Sequence, residues 1–186
     1  QAFDFHIAFH AIHNFCVIDM SNFYLDIIKD RLYCEKEDSE LRRAAQTAMY
    51  RILSAVARLA APIISFTAEE IWQFMPHTSA DDTESVFLNQ MPEKSGIEFS
   101  EAFIEKWNFI YAARESANKA LEDARNEKVI GKSLEAKIII KSSEADFGRY
   151  SDLAKQLTEI LIVSDVEIEK NDGETVFEVA KAEGGK

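Results

Sequence analysis

Residues 39–62 read SELRRAAQTAMYRILSAVARLAAP, and the reading of this stretch decides the fold. Helical periodicity runs from Ser39 to Ala61, where Pro62 stops or kinks it by withdrawing a backbone donor. On a helical wheel Leu41, Ala45, Ala48, Ile52, Val56 and Leu59 form one face. Arg43, Thr47, Tyr50, Arg51, Ser54 and Arg58 form the other. From Leu41 to Ala68 there is no Asp or Glu, while Arg42, Arg43, Arg51 and Arg58 are all present. A long helix with a basic, hydroxyl-bearing stripe therefore stands inside a chain whose formal net charge is −12.

That charge is unevenly spread. Residues 1–62 hold 7 basic and 8 acidic side chains, and residues 63–186 hold 14 and 25. Strong acidity argues against a protein that coats nucleic acid without selection. With 186 residues, 47% of them hydrophobic, and only 6 glycines and 3 prolines, the chain can bury a real core and should be mainly helical. Cys16 and Cys34 show neither metal-type spacing nor a disulfide framework, so a reducing, cytoplasmic setting is expected. Arg58 interrupts the longest apolar run, which leaves no membrane span, and no signal peptide is visible. The chain begins at Gln1, which fits an excised piece of something longer.

Working outward, periodicity predicts one helix over about 3–17 and another over about 20–34, then the polar break EKEDSE. Downstream, TAEE reads as a capping box in which Thr67 and Glu70 open a helix that ends near Met75 and Pro76. Residues 77–98 read as a loop with one extended piece, SVFLNQ. Ser100 caps a helix to about Asn126, with Phe103, Trp107, Ile110, Tyr111, Ala117 and Leu121 on one stripe. The period then changes: AKIIIK is a strand, 145–161 a helix, ILIVSDVEIEK a strand, and NDGE a tight turn into TVFEVAK. The fold class is mainly α: a helical bundle over 1–130 followed by a small α+β subdomain over 131–186.

Catalytic signals fail one by one. His6, His10 and His13 share helical spacing, but Ile7 stands where a zincin has its glutamate, and no cysteine pair adds a third ligand set. No metal site is expected. HIAF echoes the HIGH signature only faintly, and it lies within a helical run rather than on a strand-to-helix turn. All six glycines lie beyond residue 95, no Gly-rich phosphate loop occurs, and no nucleophile elbow frames a serine. Glu69 and Glu70 at a helix start are structural far more often than catalytic.

Binding signals are better. In DMSNFYLDIIKDRLY (19–33) Met20, Phe23, Tyr24, Ile27 and Ile28 share an arc, and Asn22, Lys29 and Tyr33 lie opposite, seven and four residues apart. These are a base-edge hydrogen bonder, a phosphate binder and a stacking ring, the groups that hold unpaired RNA. Arginines along the next helix suit phosphate oxygens, although acids on neighbouring helices could equally pair with them. Arg31 and Arg114 fall inside apolar stripes and read as structural buried charges bracing the bundle, with Glu69 and Glu70 as candidate partners; an unpaired buried charge costs about 3–5 kcal/mol.

MSNFYLDIIKDRLYCE, LRRAAQTAMYRIL and LAAPIISFTAEEIW together resemble the anticodon-binding domain of class I aminoacyl-tRNA synthetases, and the resemblance covers essentially the whole chain. APIISFTAEEIW is shared by the valyl, leucyl and isoleucyl group, whereas KDRLYC and VIGKSLEAKIII (129–140) resemble the bacterial isoleucyl type. The resemblance implies recognition of the anticodon stem-loop of isoleucine tRNA by a monomer, with no DNA or membrane partner. Catalysis would lie elsewhere in the full-length ligase, with ATP and Mg, and a structural Zn module would follow this region. No cofactor is implied for the piece itself. Candidate tRNA contacts are Asn22, Lys29, Tyr33, Arg43, Arg51 and Arg58, then Trp72 and Gln73, with Trp72 reading better as core. Two alternatives stay open: the same role for valine or leucine, and an acidic helical protein-interaction module. The module would hold its 41–68 arginines in internal ion pairs and pack Tyr33 against protein.

Overall fold

The structure, a computed structural model, describes residues 4–183. It is a helical bundle followed by a small α+β part, as the periodicity predicts, and it packs as two compact units, Gln1–Gly96 and Ile97–Lys186. The sequence expectation draws its line at 130/131, where the hydrophobic period changes. Packing divides the chain earlier, because the long helix ending at Asn126 packs with the sheet.

In the first unit α1 (Phe5–Asn14) passes directly into a π-helix (Phe15–Tyr24), then α2 (Leu25–Ile27) and α3 (Lys29–Tyr33). Two separate helices were expected here, with Phe3 outside the described residues. Instead the backbone stays right-handed through Asn14 and Phe15, so the polar residues near 19–21 widen the helix without ending it. Ile28, at φ −84° and ψ 0°, marks the one step between α2 and α3, and its side chain is buried.

α4 (Glu40–Ala60) ends just before Pro62, and α5 (Ser65–Phe74) follows. The expected capping box is absent. α5 starts two residues before Thr67, its N-cap position is Ile64, and no side chain caps it. The core of the unit is Ala57, Ala61, Ala68, Trp72, Met75 and Val86. Alanines on both helices leave room for the indole, which is wholly buried. SVFLNQ is not extended: Val86–Leu88 form a 3₁₀ turn capped by Ser85, which tucks Val86 into that core.

The second unit opens with α6 (Glu101–Asn126), capped as expected by Ser100, whose Oγ accepts the Phe103 N–H at 3.2 Å. Its buried stripe is Ile110, Ala113, Ala117, Leu121 and Ala124, at spacings of three and four; Phe103 and Tyr111 are exposed instead. β1 (Ala136–Ser143), α7 (Phe147–Leu161) and β2 (Asp165–Asn171) form a parallel crossover, with Ile138 opposite Val166 and Ile140 opposite Ile168. β3 (Val176–Lys181) follows the short turn expected at NDGE but does not pair with β2. It pairs antiparallel with β1 on the far side from β2, giving the order β2-β1-β3. The chain crosses the end of β1, where Ser143 N–H donates to Thr175 Oγ1 at 3.3 Å. β1 is thereby central, and alternate residues Ala136, Ile138, Ile140 and Ser142 are buried.

Candidate nucleic-acid interface

Every expected contact residue lies in the first unit, and the structure sorts them into two groups. Tyr33, at the end of α3, is 82% exposed. Asn22 and Lys29 are exposed on the same helical run. Lys29 donates to Asp26, one turn back, and that hydrogen bond raises its pKa, so the ammonium stays charged. An exposed pair of this kind is weak enough for a phosphate to displace it. Arg43 and Arg51 on α4 are exposed, and among the described residues neither guanidinium has an ion pair or hydrogen bond.

The other three expected contacts are committed to the fold. Arg58 donates from Nε to Ser54 O at 3.1 Å, from Nη2 to Ser54 Oγ at 2.8 Å and from Nη1 to Gln90 O at 3.4 Å. Its guanidinium carbon lies 6.0 Å from the centre of the Trp72 ring. Trp72 donates Nε1–H to Asp82 O at 3.0 Å and has no exposed surface. Gln73 spends its amide on Glu69 Oε1 and Glu84 O, each at 2.9 Å. Trp72 is core, Arg58 is half-buried, and Gln73 is exposed with its amide nitrogen engaged.

The wheel misassigns the second half of α4. Tyr50, Ser54 and Arg58, read as part of an outward stripe, turn toward α5 and the 77–91 loop, while Leu41, Leu53 and Leu59 are exposed. A single helix wheel assumes one buried face along the whole length. α4 packs against both α3 and α5, and its early buried residue, Ala45, lies on a different side of the helix from Ser54 and Ala57 in its later turns. Arg31 and Arg114 are half-buried, with Arg114 Nε enclosed, and among the described residues the fully buried polar ones are Ser54 and Ser142. Arg31 lies near Tyr24, whose phenol is pushed up by burial and drawn back by that charge. The Glu69 carboxylate accepts from Gln73, from Ser85 Oγ at 2.8 Å and from Val86 N–H at 3.1 Å, which lowers its pKa.

Two aromatic residues escape the sequence reading. Phe66 and Phe74, on α5, are 94% and 85% exposed, comparable with Tyr33. Aromatics on an apolar helix read as core, so nothing in the pattern separates them from Trp72. Among the described residues no group of three His, Cys, Asp or Glu could hold a metal ion. No described helix is long and apolar enough to cross a membrane.

This bundle with an exposed ring, amide and unpaired arginines has known counterparts. The family model for the anticodon-binding domain of tRNA ligase matches residues 1–140, and the chain belongs to that family. An isoleucine–tRNA ligase of Caldicellulosiruptor bescii is 48% identical over 189 residues, covering 100% of this chain and 20% of the relative. Those of Syntrophotalea carbinolica and Staphylococcus carnosus are 47% and 44% identical, covering 90% and 99% of this chain and 18% and 20% of theirs. The chain thus spans about 20% of the length of these curated relatives, and it matches the anticodon-binding part rather than the catalytic part.

Proposed function

We propose that this chain binds the anticodon stem-loop of isoleucine tRNA, as the anticodon-binding part of a cytoplasmic isoleucine–tRNA ligase. The attachment of isoleucine with ATP would take place in the remainder of such an enzyme. The observation that carries the reading is the state of the 41–68 arginines and of Tyr33. An acidic interaction module would bury Tyr33 and pair the arginines internally. Instead Tyr33 stands 82% exposed, and among the described residues none of the four arginines makes an ion pair: Arg42 donates to Glu35 O at 3.0 Å and Arg58 to Ser54 and Gln90, while Arg43 and Arg51 have no partner. In a chain with 33 acidic side chains, two unpaired arginines on one helix fit an external anion.

The residues divide the work by chemistry. Tyr33 stacks on an unpaired base, Asn22 reads a base edge, and Lys29, Arg43 and Arg51 hold phosphates. Arg58, Trp72 and Gln73 brace α5 and its loop behind them. Acidity elsewhere raises the cost of wrong docking poses, since like charge repels the RNA backbone. The assignment to isoleucine rather than valine or leucine rests on KDRLYC, VIGKSLEA and the names of the relatives. The test is titration of the chain with the isoleucine anticodon stem-loop and with one whose anticodon bases are replaced. Preference for the authentic loop supports base reading here, and equal binding would reduce the chain to a phosphate platform.

A further inference from the structure

The second unit contains a cleft of about 440 Å³ that the anticodon reading leaves without a role. Arg125, Lys128 and Lys181 line it, together with Gly131 and Glu135. Three separate pieces of local structure bring these cations together. α6 ends in a Schellman motif: Val129 N–H donates to Ala124 O at 2.9 Å and Lys128 N–H to Arg125 O at 3.0 Å. That motif places Lys128 at φ +60°. The antiparallel register of β3 sets Lys181 opposite Ala136, beside Glu135. A 3₁₀ turn over Ser133–Glu135 folds the Glu135 carboxylate back onto Gly131 N–H at 2.9 Å.

Two features mark this cluster. Arg125, Lys128, Lys132 and Lys181 make no ion pair among the described residues, a state they share with Arg43 and Arg51, but here the unpaired cations border one cleft. Arg125 makes one weak bond, Nη2 to Ser133 Oγ at 3.3 Å. The charge set against the cations in the cleft is Glu135. Its pKa is lowered, first by the Gly131 N–H and also by the fields of Lys181 and Lys132, so those fields converge on this spot. The second feature is Lys128 itself. The left-handed position at the end of a helix favours glycine, and a lysine there is strained. Ile162, at φ +55° after α7, shows that helix termination alone can hold a non-glycine residue there; at Lys128 the same position sets a cation beside two more.

We propose that this cleft binds a phosphate group of an RNA backbone, held by Arg125, Lys128 and Lys181. The part of this proposal that names RNA rests on the tRNA reading above; the phosphate chemistry does not. Arg125 supplies forked donors and the lysines supply point charge, a combination suited to a doubly charged tetrahedral group.

The left-handed lysine makes the test clean, because Lys128→Gly should separate stability from binding. The 186-residue chain, Lys128→Gly and Lys181→Gln are each melted, then titrated with inorganic phosphate while the backbone amides of 128–132 are followed by NMR. They are then titrated with the anticodon stem-loop, authentic and base-replaced, across a salt series. Lys128→Gly should melt higher, by about 2–4 °C for a chain of this size. It should also lose the phosphate-induced amide shifts and lower the slope of log affinity against log salt by about one, equally for both loops. Lys181→Gln should lower the slope likewise. A Lys128→Gly protein that melts higher yet binds phosphate and RNA like the parent would overturn the proposal, leaving the cations as partners of the α6 C-terminus. Phosphate binding without any RNA effect would overturn the RNA assignment in favour of a free anion. Equal affinity for both loops with the slope change intact would sink base reading while sustaining the cleft.

Discussion

Tyr50 donates its phenolic hydrogen to Asp81 Oδ2 at 3.1 Å, joining α4 to the loop after α5 across 31 residues of sequence. The same oxygen accepts from Thr78 N–H and Thr78 Oγ1, each at 2.8 Å. Three donors converge on one carboxylate, led by the Thr78 N–H, and its pKa falls below the ordinary range; Arg58 adds to the effect. Burial raises the Tyr50 phenol, and the bond to Asp81 raises it further. Because the folded pKa of Asp81 is depressed, its contribution is fully present above the unfolded value of about 4 and is lost as pH falls through the folded value. Asp81→Asn should therefore destabilise the chain at pH 7 and matter progressively less in acid. Thermal melts of parent and variant from pH 7 down to pH 3 should converge. A difference that persists unchanged at low pH would assign the effect to packing.

Trp72 and Tyr33 are both aromatic residues in the candidate set, and they should respond oppositely to truncation. Trp72 fills the centre of the first core and bonds Asp82 O. Trp72→Ala should cost about 3–5 kcal/mol, the range for large aromatic deletions in a core. RNA affinity should then fall only as far as the bundle unfolds. Denaturant melts run beside binding assays check this: lost binding in a variant that melts like the parent would return Trp72 to the contact surface.

The bundle, the extents of α4 and α6 and the change to an α+β tail were legible because each rests on local periodicity and on Pro62 and Ser100 as boundary signals. What stayed hidden depends on partners far away in sequence. The inward turn of Tyr50, Ser54 and Arg58 follows from α5 and the loop after it packing on late α4, on a different side from buried Ala45. The edge chosen by β3 is likewise invisible in NDGE, since a short turn permits either side of β1. Exposed Phe66 and Phe74 match the composition of core aromatics, so only the fold distinguishes them from Trp72. Asn22, Lys29 and Tyr33 are exposed on the early helical run, as their spacing predicts, and their contact with RNA is left to the variants.

Tyr33→Ala should leave the melting curve nearly unchanged, within about 0.5 kcal/mol, because the ring contacts little. Stem-loop affinity should fall by about 1–3 kcal/mol, the contribution of one stacked base. Tyr33→Phe should bind close to the parent, since stacking needs the ring and not the hydroxyl. A Tyr33→Ala protein with undiminished affinity would remove the ring from the interface and direct attention to Phe66 and Phe74.

Arg43 and Arg51 should behave as phosphate contacts, and salt separates that role from base reading. Each guanidinium that neutralises a phosphate releases condensed counterion, so log affinity falls against log salt with a slope of about −0.9 per duplex contact. Arg43→Gln and Arg51→Gln should each flatten the slope by about one, weakening the authentic and base-replaced loops by the same factor. Neither guanidinium has a partner among the described residues, so stability should move by no more than about 0.5 kcal/mol. Arg58→Gln should do the reverse. Its guanidinium holds Ser54 and Gln90 beside Trp72, so the variant should lose stability with little change in salt slope. Salt-series titrations of all three variants decide the matter. A flattened slope for Arg58→Gln, with Arg43→Gln unchanged, would place the phosphate track on the opposite half of α4.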